Sequence, residues 1–392
     1  MIDDGKYNKS LIYFLACSII FSLSPVFCNL LGVNGNIIFI IILSFVILIR
    51  VNKLQFTLKR FFLIFYLIFF SVLFSMRWQE ISLIYYQIYL LISLLVIFCI
   101  NDSIIICLTE LLSRIILFLL IGAIIGFLYA LWGGKPLLDI VNPDGRHAYL
   151  YLSTMTNWSS GVIIRPSGIF DEPGAFSFII CAICSLREMF KLNRKVSLLL
   201  MSLGMITLSV AHVIYFIFFL LSSRINLKKI IGYSFILFIV FIVFQDSIFY
   251  KQIEGDFLSR FEVVNGRFAG DNRSELLLNA YSIIKHGDWF WGGAANCIFD
   301  VKECNIMYPP FGENILSPFA LTGLFMSLPY YFVLLFLAFF SIKYKNSLHI
   351  FGFMLLLIQR PYLFSFGYSL LIVIICFALT NSSRRVYEKI SY

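Results

Sequence analysis

The sequence predicts an all-α polytopic integral membrane protein, and three observations carry that prediction. Of its 392 residues, 60% are hydrophobic and only 13% are charged, against about a quarter charged in an ordinary soluble domain. The apolar residues fall in runs near the ~20 residues that a spanning helix needs. The Lys and Arg, which give a net charge of +9, sit in short clusters between those runs, the pattern that orients a membrane protein. This excludes a soluble enzyme, a disordered chain and a nucleic-acid-binding role.

The clear spans are 11–31, 35–50, 61–76, 81–100, 111–132, 173–190, 230–249 and 314–341. The first is long enough to stay as an anchor rather than a cleaved signal. Two other runs are irregular. Residues 196–222 are interrupted at Ser209 and His212, and 348–380 contain Gln359-Arg360-Pro361. With the N-terminus inside, the cluster Arg50, Lys53, Lys59, Arg60 lies inside, as does Arg187, Lys191, Arg194, Lys195. Arg224, Lys228 and Lys229 join them only if 196–222 dips and returns. The same reasoning makes 348–380 a hairpin with Arg360 near its outer turn. About twelve membrane passes result, two pairs of them broken hairpins, with both termini cytoplasmic. Broken backbone within a membrane is tolerated only beside protein or a water-filled cavity. A cavity open to the outer face is therefore expected.

The organisation reads as N-terminal membrane helices (1–132), a first outer loop (133–172), central membrane helices with a broken hairpin (173–249), a large outer loop (250–313) and C-terminal membrane helices (314–392). Loops this long are usually functional. Seven of the nine Cys lie in or beside apolar runs and read as small hydrophobes. Cys297 and Cys304 share the second outer loop and are candidates for a disulfide if it faces an oxidising compartment.

The first outer loop ends in Arg165-Pro166-Ser167-Gly168-Ile169-Phe170-Asp171-Glu172-Pro173-Gly174. Asp171 or Glu172 can cap the next helix, with Pro173 in its first turn. Arg165 beside that helix start is either a solvated surface cation or half of an anion site. In the second loop, Asn272 and Glu275 resemble a capping box for an amphipathic helix. It is either a membrane-surface element anchored by Trp289 and Trp291 or a mount for Arg273, whose planar fork suits phosphate. Glu313 caps the next helix or acts as a general base. His212 and Arg360, at hairpin breaks, are either structural or ligands. No nucleotide-binding, metal-ligand or esterase motif is present, so no metal or cofactor is expected.

Several of these segments resemble the bacterial O-antigen polymerase family. The resemblance rests on Arg165-x-x-Gly168-x-x-x-Glu172-Pro173, on Arg273 before an amphipathic helix, on Gly292-Gly293, and on Asn314-x-x-x-Ser317-x-x-x-x-Leu321-x-Gly323. The related O-antigen ligases share this layout. Ligases and many relatives carry His immediately before the Asn, where this chain has Glu313.

The resemblance implies a GT-C-like membrane fold in the bacterial inner membrane. It implies metal-independent, inverting glycosyl transfer at the periplasmic face between oligosaccharide repeat units on undecaprenyl pyrophosphate. It leaves room for a chain-length regulator protein as a partner. On that reading Arg165, Arg273 and Arg360, with His212 and Asn314, hold the pyrophosphate or substrate, and Glu313 or Glu172 is the base. An O-antigen ligase and a flippase for lipid-linked units are the alternative functions.

Overall fold

The structure, a computed structural model, describes residues 4–24, 27, 43–44, 47, 57–141, 146–160, 163–222, 262–264, 267–268, 273–298, 301–343, 347–361 and 366–390. The expected spans 35–50 (apart from three residues) and 230–249, the Arg224–Lys229 cluster and the Asn272 cap lie outside the described residues. The described residues are about 75% helical.

Three described helices are long and apolar enough to cross a membrane. They are α2 (Leu58–Trp78), α4 (Asp102–Leu131) and α10 (Ser317–Lys343). α1 (Asp4–Ser22) and α3 (Tyr85–Cys99) are further described helices of the N-terminal part. The central part holds α5 (Pro173–Met189), α6 (Arg194–Gly204) and α7 (Val210–Leu221). The second loop carries α8 (Arg273–His286) and α9 (Val301–Met307), and α11 (Leu348–Gln359) and α12 (Phe366–Ile390) close the bundle.

α5 is the axis of the bundle. Nearly all its residues are buried, as expected of a helix that is apolar all round. It packs against α4, α6, α7, α11 and α12.

The 348–380 run does turn back beside Arg360. Phe178 on α5 touches Phe353 at 5.3 Å and Tyr368 at 5.2 Å between ring centroids. Residues before and after Arg360 therefore lie at one depth. The far end of α12 meets the start of α4, where Asn381 donates to the Asp102 carboxylate at 2.6 Å. The break in 196–222 falls earlier than expected. A 3-10 turn, Met205–Thr207, follows α6, and Leu208 takes φ 48°. His212 lies within α7 instead.

Helix α10 is not one straight span. Gly323 interrupts it with φ 69° and ψ −170°. The Tyr331 hydroxyl donates to the Ile315 carbonyl at 2.9 Å, sixteen residues back. Along an unbroken helix that separation is roughly 24 Å, beyond a tyrosine's reach. The chain therefore folds back at Gly323, and the Glu313–Ile315 segment descends to the level of Tyr331.

A loop holds the bend open. Gly293 and Ala294 donate to the Ala320 carbonyl at 3.0 and 3.1 Å, and Leu324 donates to the Trp289 carbonyl at 3.0 Å. A Cβ on Gly323 would collide with the main chain of Phe290 and Gly292. This contact accounts for the glycines in both sequence segments.

The segments between the helices add small antiparallel sheets to the helical bundle. β1 (Leu138–Val141), β2 (His147–Tyr151) and β3 (Thr154–Thr156) form one in the first loop. Ile140, Ala148 and Met155 make its apolar face. Two-stranded pairs at Ser159–Ser160 with Ile163–Ile164, and at Val263–Val264 with Arg267–Phe268, are minor.

Candidate functional site

The start of α5 gathers charged side chains from four separate stretches of chain. Glu172 is the N-cap residue in extended conformation, yet its carboxylate makes no capping bond. It pairs instead with Arg360, and lies 3.4 Å from Nη1 of Arg146 in the first loop. Arg360 is the C-cap of α11. Its guanidinium rests on the first turn of α5, where a Cβ on Gly174 would lie 3.4 Å from Arg360 Cζ. The same Arg360 Nη1 is 3.8 Å from Glu313 Oε2. Arg273, in the first turn of α8, donates to the Glu313 main-chain carbonyl at 2.8 Å.

Local geometry fixes Glu313. Asn314 next to it is buried and forms a compact turn. Its Nδ2 donates to the carbonyls of Phe311 (2.7 Å) and Leu276 (3.3 Å), and its Oδ1 accepts from the Leu316 amide (2.8 Å). Asn314 thus ties the α8 helix to the approach to α10, and its side chain is committed inside the protein. Glu313 caps no helix; α10 begins at Ser317.

The Glu313 side chain keeps 53% of its surface exposed, although protein crowds its carboxyl. That crowding displaces part of the water and pushes its pKa up to about 7, and Asp171 adds to the rise; Arg273 and Arg146 oppose it. Glu172 is only 10% exposed and lies between two arginines.

The level of the site follows from two helices. Tyr330 donates to the Leu357 carbonyl at 2.8 Å, three residues before Arg360. α11 rises about 18 Å over its 12 residues. Gly323 lies eight residues, about 12 Å, from Tyr331 toward the loop end. The loop end of α2 sits near Gly323: the Trp78 indole donates to the Trp291 carbonyl at 3.2 Å, and Trp291 packs on Phe325. Arg360, three residues beyond Leu357 on a helix that runs back toward the loop end, therefore lies roughly 6 Å inward of the Gly323 bend.

Neither a family model nor a curated protein matches this chain. The site therefore has to be read from its own chemistry.

Arg165 and Arg273 lie at the same end of the bundle, but Arg165 has a separate attachment. Its Nη2 donates to the Leu208 carbonyl at 3.0 Å and its Nε to Thr207 at 3.4 Å. It caps carbonyls left open where α6 breaks. His212 is fully buried one step farther in. Its Nε2 meets the Met201 carbonyl at 2.8 Å and its Nδ1 the Ser177 hydroxyl at 3.1 Å. A Cβ on Gly204 would strike its ring. Both ring nitrogens are engaged within the protein, which fits the structural alternative for His212.

Arg146 is the residue that sequence reading missed. It follows Asn142-Pro143-Asp144-Gly145 in the first loop, and that position is its only signal. The second loop forms the Cys297–Cys304 disulfide. Cys304 packs with Ala280, Ile283 and Ala320, and so joins the loop to the α10 bend.

Proposed function

We propose that this chain is an O-antigen polymerase-type glycosyltransferase that joins lipid-diphosphate-linked oligosaccharide units at the outer face of a bacterial inner membrane. One observation carries the reading: Arg146, Arg273 and Arg360, from three distant segments, converge on two acids at the start of α5. Such a cluster beside apolar helices suits a headgroup whose lipid tail remains in the bilayer. The Cys297–Cys304 disulfide supports an oxidising compartment on that side.

In this reading the hydroxyl of the incoming unit attacks C1 of the sugar at the reducing end of the growing chain. The new glycosidic C–O bond forms as the bond from C1 to the diphosphate oxygen breaks. The lipid diphosphate leaves with the electron pair. Arg273, Arg360 and Arg146 stabilise the negative charge it gains, as fixed donors in a partly dry site can do. Glu313 accepts the proton of the attacking hydroxyl. Its pKa of about 7 suits a base at neutral pH. Glu172, held by two cations, is the weaker candidate for base. Arg165, His212 and Asn314 position the elements around the site.

The test is an assay of purified protein with synthetic lipid-linked repeat units and no nucleotide. The reading expects products that grow by whole repeat units, with release of lipid diphosphate. Transfer only to lipid A–core would support the ligase instead. Transbilayer movement of lipid-linked units without bond formation would support the flippase.

A further inference from the structure

Among the described residues at the site, Arg146, Arg273 and Arg360 stand with Asp171, Glu172 and Glu313. A diphosphate that is to use an arginine paired in this way has to replace an anion already there.

Glu172 is that anion by position. Its carboxylate is paired with Arg360 at the first turn of α5, where the helix end itself favours negative charge. The Arg360 guanidinium rests against Gly174, where a Cβ would lie 3.4 Å from its Cζ, so the first turn of α5 covers one side of it. Glu172 also has a second cation within reach, Arg146 at 3.4 Å. It can give up one arginine without becoming a buried, unpaired charge, which would be the costly outcome.

We infer that Glu172 is a resident counter-ion, holding Arg360 until the diphosphate of the substrate displaces it and then pairing with Arg146 alone. This inference rests on the diphosphate reading of the site and adds its regulation. A diphosphate carries more negative charge than one carboxylate and can use both arms of the guanidinium. A neutral sugar or a lipid without phosphate cannot make the exchange. The arrangement thus keeps Arg360 from weaker anions and lets the correct headgroup in.

The experiment is calorimetric binding to detergent-solubilised full-length protein, with farnesyl diphosphate and inorganic pyrophosphate as separate probes. Wild type, Glu172→Gln, Arg360→Ala and the double variant are compared, each with its unfolding temperature. Glu172→Gln is expected to bind farnesyl diphosphate about tenfold more tightly than wild type, and the double variant to lose that gain. A gain shared by pyrophosphate assigns the effect to the diphosphate group; a gain confined to the farnesyl form assigns it to the lipid diphosphate. Either supports the exchange. If Glu172→Gln does not fold, Glu172→Asp, with a shorter reach to Arg360, is expected to shift affinity in the same direction. A folded Glu172 variant that binds no better than wild type overturns the inference and leaves the diphosphate reading standing. Wild type that binds neither probe, as Arg360→Ala does, overturns both.

Discussion

Tyr331 hydrogen-bonds the carbonyl of Ile315 across the bend at Gly323. That bond ties the Glu313 segment to the second arm of α10 at the level of Arg360. Removing it by Tyr331→Phe is expected to cost about 1 kcal/mol, the usual net value of such a bond. Because Glu313 is then less well placed, turnover should fall more than substrate affinity. Unfolding temperature and a comparison of kcat with KM check this.

Gly323 tolerates no side chain. Its φ of 69° is left-handed, and a Cβ would meet main chain of the 289–294 loop. Gly323→Ala is expected to prevent stable assembly of the second loop. Limited proteolysis of the purified variant, with cleavage appearing between α8 and α10, is the measurement.

The pH profile should follow Glu313. Its pKa is raised to about 7, and the ionised form is the base. Chain extension at saturating substrate should therefore rise with pH through an inflection near 7 and level off above it. Glu313→Gln should lose activity across the range. The same shift makes the folded protein hold a proton that the unfolded chain releases between the ordinary carboxyl value and 7, so this group favours folding less as pH rises through that window. Rates and unfolding temperatures measured from pH 5.5 to 8.5 give both readings.

His212 and Arg165 should behave as structural residues. His212→Ala leaves the Met201 carbonyl and Ser177 hydroxyl without their partner in a dry interior. A loss of about 1–3 kcal/mol is expected, while diphosphate affinity of the folded fraction stays near wild type. Arg165→Ala should act the same way, through the open carbonyls at Thr207 and Leu208. Calorimetry and thermal unfolding together separate stability from binding.

The sequence revealed the elements whose signals are local. Pro173 after two acids marks the start of α5, and the polar Gln359-Arg360-Pro361 marks the turn of the last hairpin. Arg273 sits in the first turn of its helix, as the residues around it suggest. The fold-back at Gly323 was hidden because hydropathy sums over a window, and 314–341 reads as one apolar run. Its cause is a contact with Gly292, some thirty residues earlier in the chain. The sheet β1–β3 was also missed, since its apolar face of Ile140, Ala148 and Met155 comes from three short strands. The partners of Arg146, Arg165 and His212 are long-range, and no local pattern encodes them. The break in 196–222 was displaced because Ser209 and His212 look polar, whereas the left-handed residue is Leu208.

The most direct test of the account is the rate of repeat-unit joining by purified Arg146→Ala, Arg273→Ala and Arg360→Ala, with folding confirmed for each. The account predicts that Arg273→Ala and Arg360→Ala lose at least a hundredfold in kcat/KM for the lipid-linked unit, with Arg146→Ala impaired to a lesser degree. Wild-type rates in all three would contradict it.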